Sequence, residues 1–312
     1  MTPASAVPAL EDLAALQDDV LHRNQLRVLV TRGAVRAQLQ ARRWQAVGPL
    51  VVVLHNGPLT ADQRTWAAVL SAPGLVAVAG RHAARLHGLK GWVGLEPEIV
   101  LPKGDRLPEL PFPVRLHESR RFLRADVVNE RSPARTGLER SVIDAASWSP
   151  NARAACGLLA AAVQQGRTTA NRLRLSLSQA GRVRHCRVMR AVLIDIEGGA
   201  QALSEVEFGR FLAAHGLPSP RRQAVRLDAT GRRRYLDVEL VADDGQLLHI
   251  EVDGALHLLV GTYWNDMDRG NELVLAGTRL LRFPSISWRL EPAKVADQIR
   301  RGLRRQAART AA

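Results

Sequence analysis

The sequence predicts an α+β protein of more than one domain, and three observations lead to this prediction. The chain has 312 residues, which is enough for two or three domains of ordinary size. Near the N-terminus, short helical patterns precede a pair of apolar strand patterns. Near the C-terminus, strands that alternate apolar and acidic residues are followed by helical patterns. We therefore expect three domains, over residues 1–60, 61–200 and 201–312.

The N-terminal domain is predicted to contain three helices and a strand ribbon. Apolar residues at helical spacing predict helices over 9–20, 23–30 and 34–43, and a ribbon broken at Gly48-Pro49 follows over 44–54. This order is typical of a winged helix-turn-helix, whose third helix enters the major groove of DNA. The side chains that we expect to contact phosphates and base edges are Arg36, Gln40, Arg42 and Arg43. Winged helices also dock onto proteins, so both roles remain open.

The middle region, residues 61–200, is predicted to be mixed α/β. Strand patterns occur over 98–102 and 113–117, and helical patterns over 133–148 and 152–165. The sequence of this region has no glycine-rich nucleotide loop and no Cys/His spacing for zinc. It therefore points to no particular chemistry.

The C-terminal domain contains two strand patterns that carry acidic residues on one face. Alternate side chains of a strand share a face, so Asp237 and Glu239 point away from the apolar residues of the first strand. In the second strand, His249, Glu251 and Asp253 likewise share a face. One interpretation is a solvated acidic surface, and the other is a site for a divalent cation.

The turn between these strands predicts their register. Asp243-Asp244-Gly245 suits a three-residue loop whose glycine takes the left-handed conformation, and such a loop pairs residues 242 and 246. The opposed pairs in that register are Asp237 with Glu251 and Glu239 with His249. Directly opposed Cβ atoms lie roughly 5 Å apart. Carboxylates that close repel each other, and Mg²⁺ removes the repulsion because it binds carboxylates, waters and substrate phosphates.

Further residues around this hairpin form a pattern of known type. The pattern consists of Ser204, Glu207, 216–218, Asp237, 251–254, His257, Asp266, Arg269, Leu273, Gly277 and 281–283. In order and spacing, residues 201–305 resemble the very-short-patch-repair (Vsr) type of endonuclease-like domain found widely in bacteria. The resemblance implies the fold of the restriction endonucleases.

The resemblance also implies roles for individual residues. Asp237 and Glu251 would be ligands of Mg²⁺ or Mn²⁺, with Asp253 as a further acidic candidate on the same strand. His257 would be a general base or a phosphate contact, and Glu207 an accessory acid. Asp266 and Arg269 would support the site from the next helix, and Arg269 and Arg282 could neutralise phosphate charge. Many nucleases of this fold have lysine where Asp253 stands, so the metal or His257 would have to activate the attacking water.

Glu207 has a second interpretation. Ser204-Glu205-Val206-Glu207 has the form Ser-x-x-Glu of a capping box ahead of an apolar run, so Glu207 could simply cap its helix.

A second resemblance concerns residues 9–90. The helix-turn-helix region, the apolar run 51–54 and the segment 80–89 are similar to the N-terminal part of AbiEi-type (type IV) antitoxins. That family's winged helix binds promoter DNA, which implies a repressor and a cognate toxin as partner. The ribbon departs from the family pattern, because it has Gly48-Pro49-Leu50-Val51 in place of Arg-Gly-Val-Tyr. Within the same region we expect His82 and His87 to be core or capping residues.

Charge and composition narrow the class of partner. The net charge is +14, from 44 basic and 30 acidic residues, which favours attraction to nucleic acid. No signal-peptide pattern and no apolar run of about 18 residues occurs, so we expect a cytoplasmic protein without a membrane partner. The two cysteines do not suggest a disulfide framework.

The sequence thus favours a DNA-binding protein whose C-terminal domain is a magnesium-dependent endonuclease. The alternative is a non-catalytic, antitoxin-like repressor with a degenerate nuclease fold. Whether the chain forms a homodimer is open on either interpretation.

Overall fold

The computed structural model has a mixed α and β fold, as the sequence predicts. It describes residues 3–92, 96–128, 133–197, 201–227, 233–253, 280–284 and 287–304. Within these ranges the chain forms twelve α-helices and three β-sheets. It divides into two compact units, Met1–Ala145 and Ala146–Ala312.

The first unit begins with three helices and a small antiparallel sheet. The elements in chain order are α1 Pro3–Leu16, β1 Val20–His22, α2 Arg23–Leu29, α3 Arg32–Gln40, β2 Gln45–Val47 and β3 Val51–Val53. The strand order in the sheet is β1-β3-β2. The predicted second and third helices and the ribbon are therefore present, with α3 ending three residues earlier than predicted.

The first helix differs from its prediction at its C-terminal end. It ends at Leu16 instead of reaching residue 20, because Asp18 and Asp19 adopt φ values of 56° and 63°, which no α-helix accommodates. Val20, predicted to lie in that helix, instead begins β1 and pairs with Val53. Both valines are fully buried, so β1 contributes to the core although no alternating sequence pattern predicts a strand there.

The rest of the first unit is built on a five-stranded sheet of order β6-β5-β4-β8-β7. The elements are α4 Ala61–Leu70, β4 Ala77–Val78, α5 Gly80–Leu86, β5 Glu98–Pro102, β6 Arg115–Ser119, the 3₁₀ turn Arg124–Asp126, β7 Val127–Val128, β8 Arg135–Thr136 and α6 Leu138–Ser147. Val78, Ile99 and Leu101 form part of one apolar cluster of this unit.

The two histidines of the 80–89 segment are structural, as predicted. His82 is 5% exposed, and its Nε2 lies 3.0 Å from the Thr65 hydroxyl. His87 is the C-cap residue of α5, and its Nε2 donates to the Thr136 carbonyl at 2.8 Å.

The second unit contains helices followed by a four-stranded sheet. The elements are α7 Ala152–Gln164, α8 Ala170–Gln179, α9 Cys186–Ile196, α10 Gln201–Ala214, β9 Arg222–Leu227, β10 Arg233–Val241, β11 Leu247–Asp253, β12 Leu280–Pro284, α11 Ser287–Leu290 and α12 Pro292–Leu303. The sheet order is β12-β11-β10-β9, antiparallel except for the parallel pair of β11 with β12.

One face of this sheet is covered by helices, so a functional site on the sheet can lie only on the opposite face. Val238, Ile250 and Leu281 occupy one row across three strands and are fully buried. They belong to the same core as Phe208 of α10 and Trp288 of α11, whose rings lie 4.9 Å apart. The residues that alternate with this row point to the opposite face.

The capping-box interpretation of Glu207 is wrong. The helix α10 begins at Gln201, so Ser204 lies inside the first turn and cannot be the N-cap residue. The strand β9, which precedes the acidic hairpin, was not predicted.

None of the helices in the described ranges has both the length and the apolar character needed to cross a membrane.

Candidate functional site

The turn of the acidic hairpin has the predicted geometry. Gly245 takes a φ of 79°, in the left-handed region that favours glycine. The N–H of Ala242 donates to the carbonyl of Gln246 at 2.8 Å, and the N–H of Gly245 donates to the Ala242 carbonyl at 2.9 Å. The loop therefore consists of residues 243–245, and the strands β10 and β11 pair from that point.

The register that follows is also the predicted one. Asp237 lies directly opposite Glu251, and Glu239 lies directly opposite His249. A slip of one residue would have moved these side chains to the covered face of the sheet. The pattern of strand alternation and the turn chemistry therefore agree, and together they bring two carboxylate positions to adjacent strands.

The two faces of the hairpin differ as the alternation requires. The apolar residues Val238, Leu240, Leu248, Ile250 and Val252 are buried. On the other face Glu239 and Glu251 are half-buried, and the His249 side chain is 53% exposed. The acidic face is thus open to solvent, to a cation or to a bound polyanion.

Arg282 of β12 completes a row of charged positions across three strands. It lies opposite Glu251 in the parallel β11–β12 pair, and Glu251 lies opposite Asp237. The Nε of Arg282 donates to Oε2 of Glu251 at 2.7 Å. The Glu251 side chain is 28% exposed and that of Arg282 is 56% exposed, so the ion pair is accessible from the open face.

A second, looser contact lies one row away. Nδ1 of His249 is 3.8 Å from Oε1 of Glu239, a distance at which the imidazole forms an ion pair only when protonated. Arg222 of β9 occupies the register position on the other side of Glu239. In this row a carboxylate position therefore lies between two basic positions.

The other predicted site residues fall partly or wholly outside what the structure describes. For Glu207, Asp237 and Asp253 the backbone is described and the side chain is not. His257 and Arg269 lie outside the described residues altogether. Among the side chains that are described, no three histidine, cysteine or acidic groups gather as a metal-binding cluster.

The donor chemistry nevertheless suits the predicted metal. Carboxylate oxygens are the ligands that Mg²⁺ prefers, and it needs only one or two of them because waters and phosphates complete its shell. Glu251 presents such oxygens on the open face, and Asp237 occupies the register position beside it. One oxygen of Glu251 is bonded to Arg282, so a metal would compete with that guanidinium.

A basic groove lies between α2 and α3 in the first unit. Its volume is about 420 Å³. The polar residues that line it are Arg23, Arg27, Arg32, Arg36 and Gln40. Apolar side chains, among them Val35 and Leu39, line the remainder, and no acidic residue of the described part of the chain is among them.

The structure divides the predicted DNA-contacting residues into two groups. Arg36 and Gln40 are exposed on α3 and line the groove. Arg42 and Arg43 lie beyond the end of α3, in the turn before β2, where Arg42 takes a φ of 53°. The Nε of Arg43 donates to the Gln38 side chain at 2.7 Å.

Three groove arginines were missed by the sequence reasoning. Arg23 and Arg27 lie four residues apart on α2, and Arg32 lies four residues before Arg36 on α3. That spacing places each pair on one side of its helix. The signal was therefore present, and it becomes meaningful only when the two helices are packed against each other.

A separate group of ionisable side chains is buried between the five-stranded sheet and α6. Glu98 is 4% exposed and accepts hydrogen bonds from the Arg81 N–H at 2.8 Å and from His117 Nε2 at 3.2 Å. Burial alone would raise the pKa of Glu98, but these hydrogen bonds hold it below its ordinary value. Burial raises the pKa of Asp144, against the effect of Arg140, whose Nε donates to it at 2.7 Å. These groups satisfy one another, so we regard this cluster as structural.

No family model matches the chain, and no curated protein matches it.

Proposed function

We propose that the protein binds duplex DNA and that its C-terminal segment, 201–312, hydrolyses phosphodiester bonds with Mg²⁺ or Mn²⁺ held by Asp237 and Glu251. The observation that carries this proposal is the register of the acidic hairpin, which sets those two residues opposite each other on the open face of the sheet. A purely solvated face does not require two carboxylates on adjacent strands.

The residues around the hairpin have distinct tasks in this proposal. Magnesium bound to the two carboxylates would polarise the scissile phosphate and lower the pKa of the attacking water. Arg282, and with it Arg269, would neutralise phosphate charge once a substrate is present. His257 would accept a proton from the water, Asp253 would be a further acidic ligand, and Glu207 an accessory acid.

The first unit supports the DNA-binding half of the proposal. Its element order, α1-β1-α2-α3-β2-β3, with a sheet of order β1-β3-β2, is compatible with the winged helix-turn-helix predicted from the sequence. In such a module α3 would lie in the major groove, where Arg36 and Gln40 could reach base edges. The arginines of the α2–α3 groove are suited to phosphate oxygens.

The test is cleavage of supercoiled plasmid by purified protein with Mg²⁺ or Mn²⁺, with Asp237→Ala alongside. We expect the wild type to nick or cut the plasmid and the variant to be inactive while binding DNA normally. Asp243→Ala is the matched control, because Asp243 is an exposed carboxylate in the loop of the same hairpin. Cleavage that survives in Asp237→Ala, or is equally lost in Asp243→Ala, would sink the site assignment.

A second candidate function is a non-catalytic repressor. The observation that favours it is the Arg282–Glu251 ion pair, because the guanidinium compensates the carboxylate without any metal. A repressor would shift a duplex containing its operator in a gel without cutting it at any Mg²⁺ or Mn²⁺ concentration. Protection of a specific operator by the wild type, together with uncut plasmid, would favour this function over the first.

A further inference from the structure

The segment that spans α7, α8 and most of α9 carries charge of one sign only. Residues 145–194 contain eight arginines and no aspartate, glutamate or lysine. This segment spans α7, α8 and most of α9, and it lies outside both the hairpin and the α2–α3 groove. Codon bias can exchange lysine for arginine, but it does not remove every acidic residue from fifty positions.

The structure places two of these arginines on the outer side of α9. The residues Met189, Val192 and Leu193 of α9 are fully buried. Arg187 and Arg190 are exposed, and their spacing of three puts them on the side of α9 opposite that apolar stripe. The apolar stripe therefore holds the helix in the fold, while the arginines are left to face solvent.

Arg182 extends the same surface into the turn between α8 and α9. The turn is tied to the chain before α7 by Arg184, which donates to the Pro150 carbonyl at 2.6 Å, and by His185, whose Nε2 donates to the Ser149 carbonyl at 3.1 Å. Because both ends of the turn are attached to regular structure, Arg182 is presented by a fixed backbone. It is itself exposed.

The acidic residues at the C-terminal end of α9, Asp195 and Glu197, interact with other arginines. The Glu197 carboxylate lies 3.5 Å from Nε of Arg174, and Asp195 acts electrostatically on Arg289. Within the described ranges no carboxylate forms an ion pair with Arg182, Arg187 or Arg190. Their positive charge is therefore available to a partner.

We propose that Arg182, Arg187 and Arg190 form a second polyanion-binding surface, the α8–α9 surface, and that its ligand is the phosphate backbone of duplex DNA. The identity of the polyanion rests on the proposed DNA-binding function, whereas the surface itself does not. Guanidinium groups match phosphate oxygens in charge and in hydrogen-bonding geometry, and the absence of carboxylates from 145–194 removes repulsion. Contacts of this kind strengthen binding without reading sequence.

A lipid surface fits this surface less well. Binding in a membrane interface requires a broad apolar face beside the cations. The large apolar side chains exposed on α8 and α9 are Leu175 and Ile194, with exposures of 61% and 36%. Two isolated side chains do not make such a face.

The test is the salt dependence of binding to a non-specific duplex, measured by fluorescence anisotropy with the full-length protein. The slope of log K against log[salt] falls by about 0.9 for each phosphate contact removed. We expect R182A/R187A/R190A to reduce the slope by about 2.7, and R182K/R187K/R190K to retain it. Circular dichroism should match the wild type, since none of the three side chains belongs to the buried stripe of α9.

Two further variants separate this inference from the proposed function. R106A/R120A/R124A removes the same charge from exposed positions of the first unit and should leave the slope unchanged. R32A/R36A alters the α2–α3 groove and tests the winged helix-turn-helix. A slope lowered by R32A/R36A and unchanged in R182A/R187A/R190A overturns the α8–α9 surface alone. The reverse result supports the surface and contradicts the winged-helix contact.

Three other outcomes would overturn the proposed α8–α9 surface. An equal fall in slope with R106A/R120A/R124A would mean that net charge alone acts, and would overturn the surface as a site. Failure of the wild type to bind the duplex would overturn both proposals. Sedimentation with phosphatidylserine vesicles that is lost in R182A/R187A/R190A, with DNA binding unchanged, would identify a membrane ligand and overturn this inference.

Discussion

The Nε of Arg282 donates to Oε2 of Glu251 at 2.7 Å across two parallel strands, at positions that are directly in register. The guanidinium thus compensates the charge of the carboxylate directly. If the hairpin binds Mg²⁺ or Mn²⁺, the cation and the arginine compete for the same oxygens. The strength of that competition can be measured.

We expect Arg282→Ala to tighten Mn²⁺ binding, measured by isothermal titration calorimetry, by a factor of about 1.4 to 5. An exposed ion pair contributes only about 0.2–1 kcal/mol, because solvent screens it, and in the variant the metal no longer has to displace the guanidinium. Arg301→Ala is the matched control, since it breaks an exposed arginine–carboxylate pair on α12, with N···O of 3.1 Å to Asp297. Unchanged or weaker Mn²⁺ binding in Arg282→Ala would contradict the competition.

Two glycines of the second unit should respond to alanine in opposite directions. Gly245 has a φ of 79° and Gly209 lies inside α10, and neither has an atom within 4 Å of an added Cβ. Gly245→Ala should lower the free energy of unfolding by about 1–2 kcal/mol through left-handed strain. Gly209→Ala should raise it by about 0.5–1 kcal/mol through helix propensity. Urea denaturation measures both, and a Gly245→Ala variant as stable as the wild type or more stable would refute the assignment of the turn.

The buried imidazole of His82 predicts a loss of stability in mild acid. Burial, and then the charge of Arg85, lower its pKa from the ordinary value of 6.5. The unfolded chain therefore takes up a proton at a pH at which the folded chain does not, so stability is fully present above 6.5 and falls as the pH drops through the folded value.

The corresponding variant is His82→Gln, which keeps a polar group near Thr65 and cannot titrate. Urea denaturation at about pH 7.5 and about pH 5.5 should show a smaller loss of stability for the variant than for the wild type. His55→Gln is the control, because His55 lies in the loop after β3 and is only half-buried. Equal acid sensitivity of His82→Gln and the wild type would rule out His82 as the cause.

The two cysteines should differ in reactivity. Cys156 is fully buried in α7, and burial raises the pKa of its thiol to about 12, so almost no thiolate is present at neutral pH. Cys186 begins α9 and is half-buried. One thiol per chain should react with a disulfide reagent in the native state, and two after denaturation. Cys186→Ser should abolish the native reaction, and rapid labelling of that variant would show that Cys156 is accessible.

The sequence predicts those parts of the fold that depend on neighbouring residues. The hairpin register was predictable because both the strand alternation and the Gly245 turn are local. The strand β1 was not, because Val20 and Leu21, directly after a helical pattern, resemble one more helical turn. The strand β9, Arg222–Leu227, was not predicted either, because its apolar residues Ala224, Val225 and Leu227 do not strictly alternate with polar ones.

The candidate site was likewise predictable from the sequence only where it depends on neighbouring residues. Sequence alternation placed Asp237 and Glu251 on one face, and the backbone register agrees. The bond between Glu251 and Arg282 was beyond prediction, because a parallel pairing depends on how the chain crosses back to the sheet. The groove arginines Arg23 and Arg32 required the packing of two helices to be known.

The parallel pairing also has a consequence for the order in which the sheet assembles. The hairpin closes a short loop, whereas joining β12 to β11 must close a much longer one, which costs more chain entropy. We expect β10 and β11 to pair first, with φ-values from folding kinetics lower at Arg282 than at Ile250. The hairpin would then hold Asp237 opposite Glu251 before β12 brings Arg282 to the sheet. At that stage a divalent ion from solution could stabilise the hairpin by neutralising Glu251. In the folded protein Arg282 neutralises the same carboxylate.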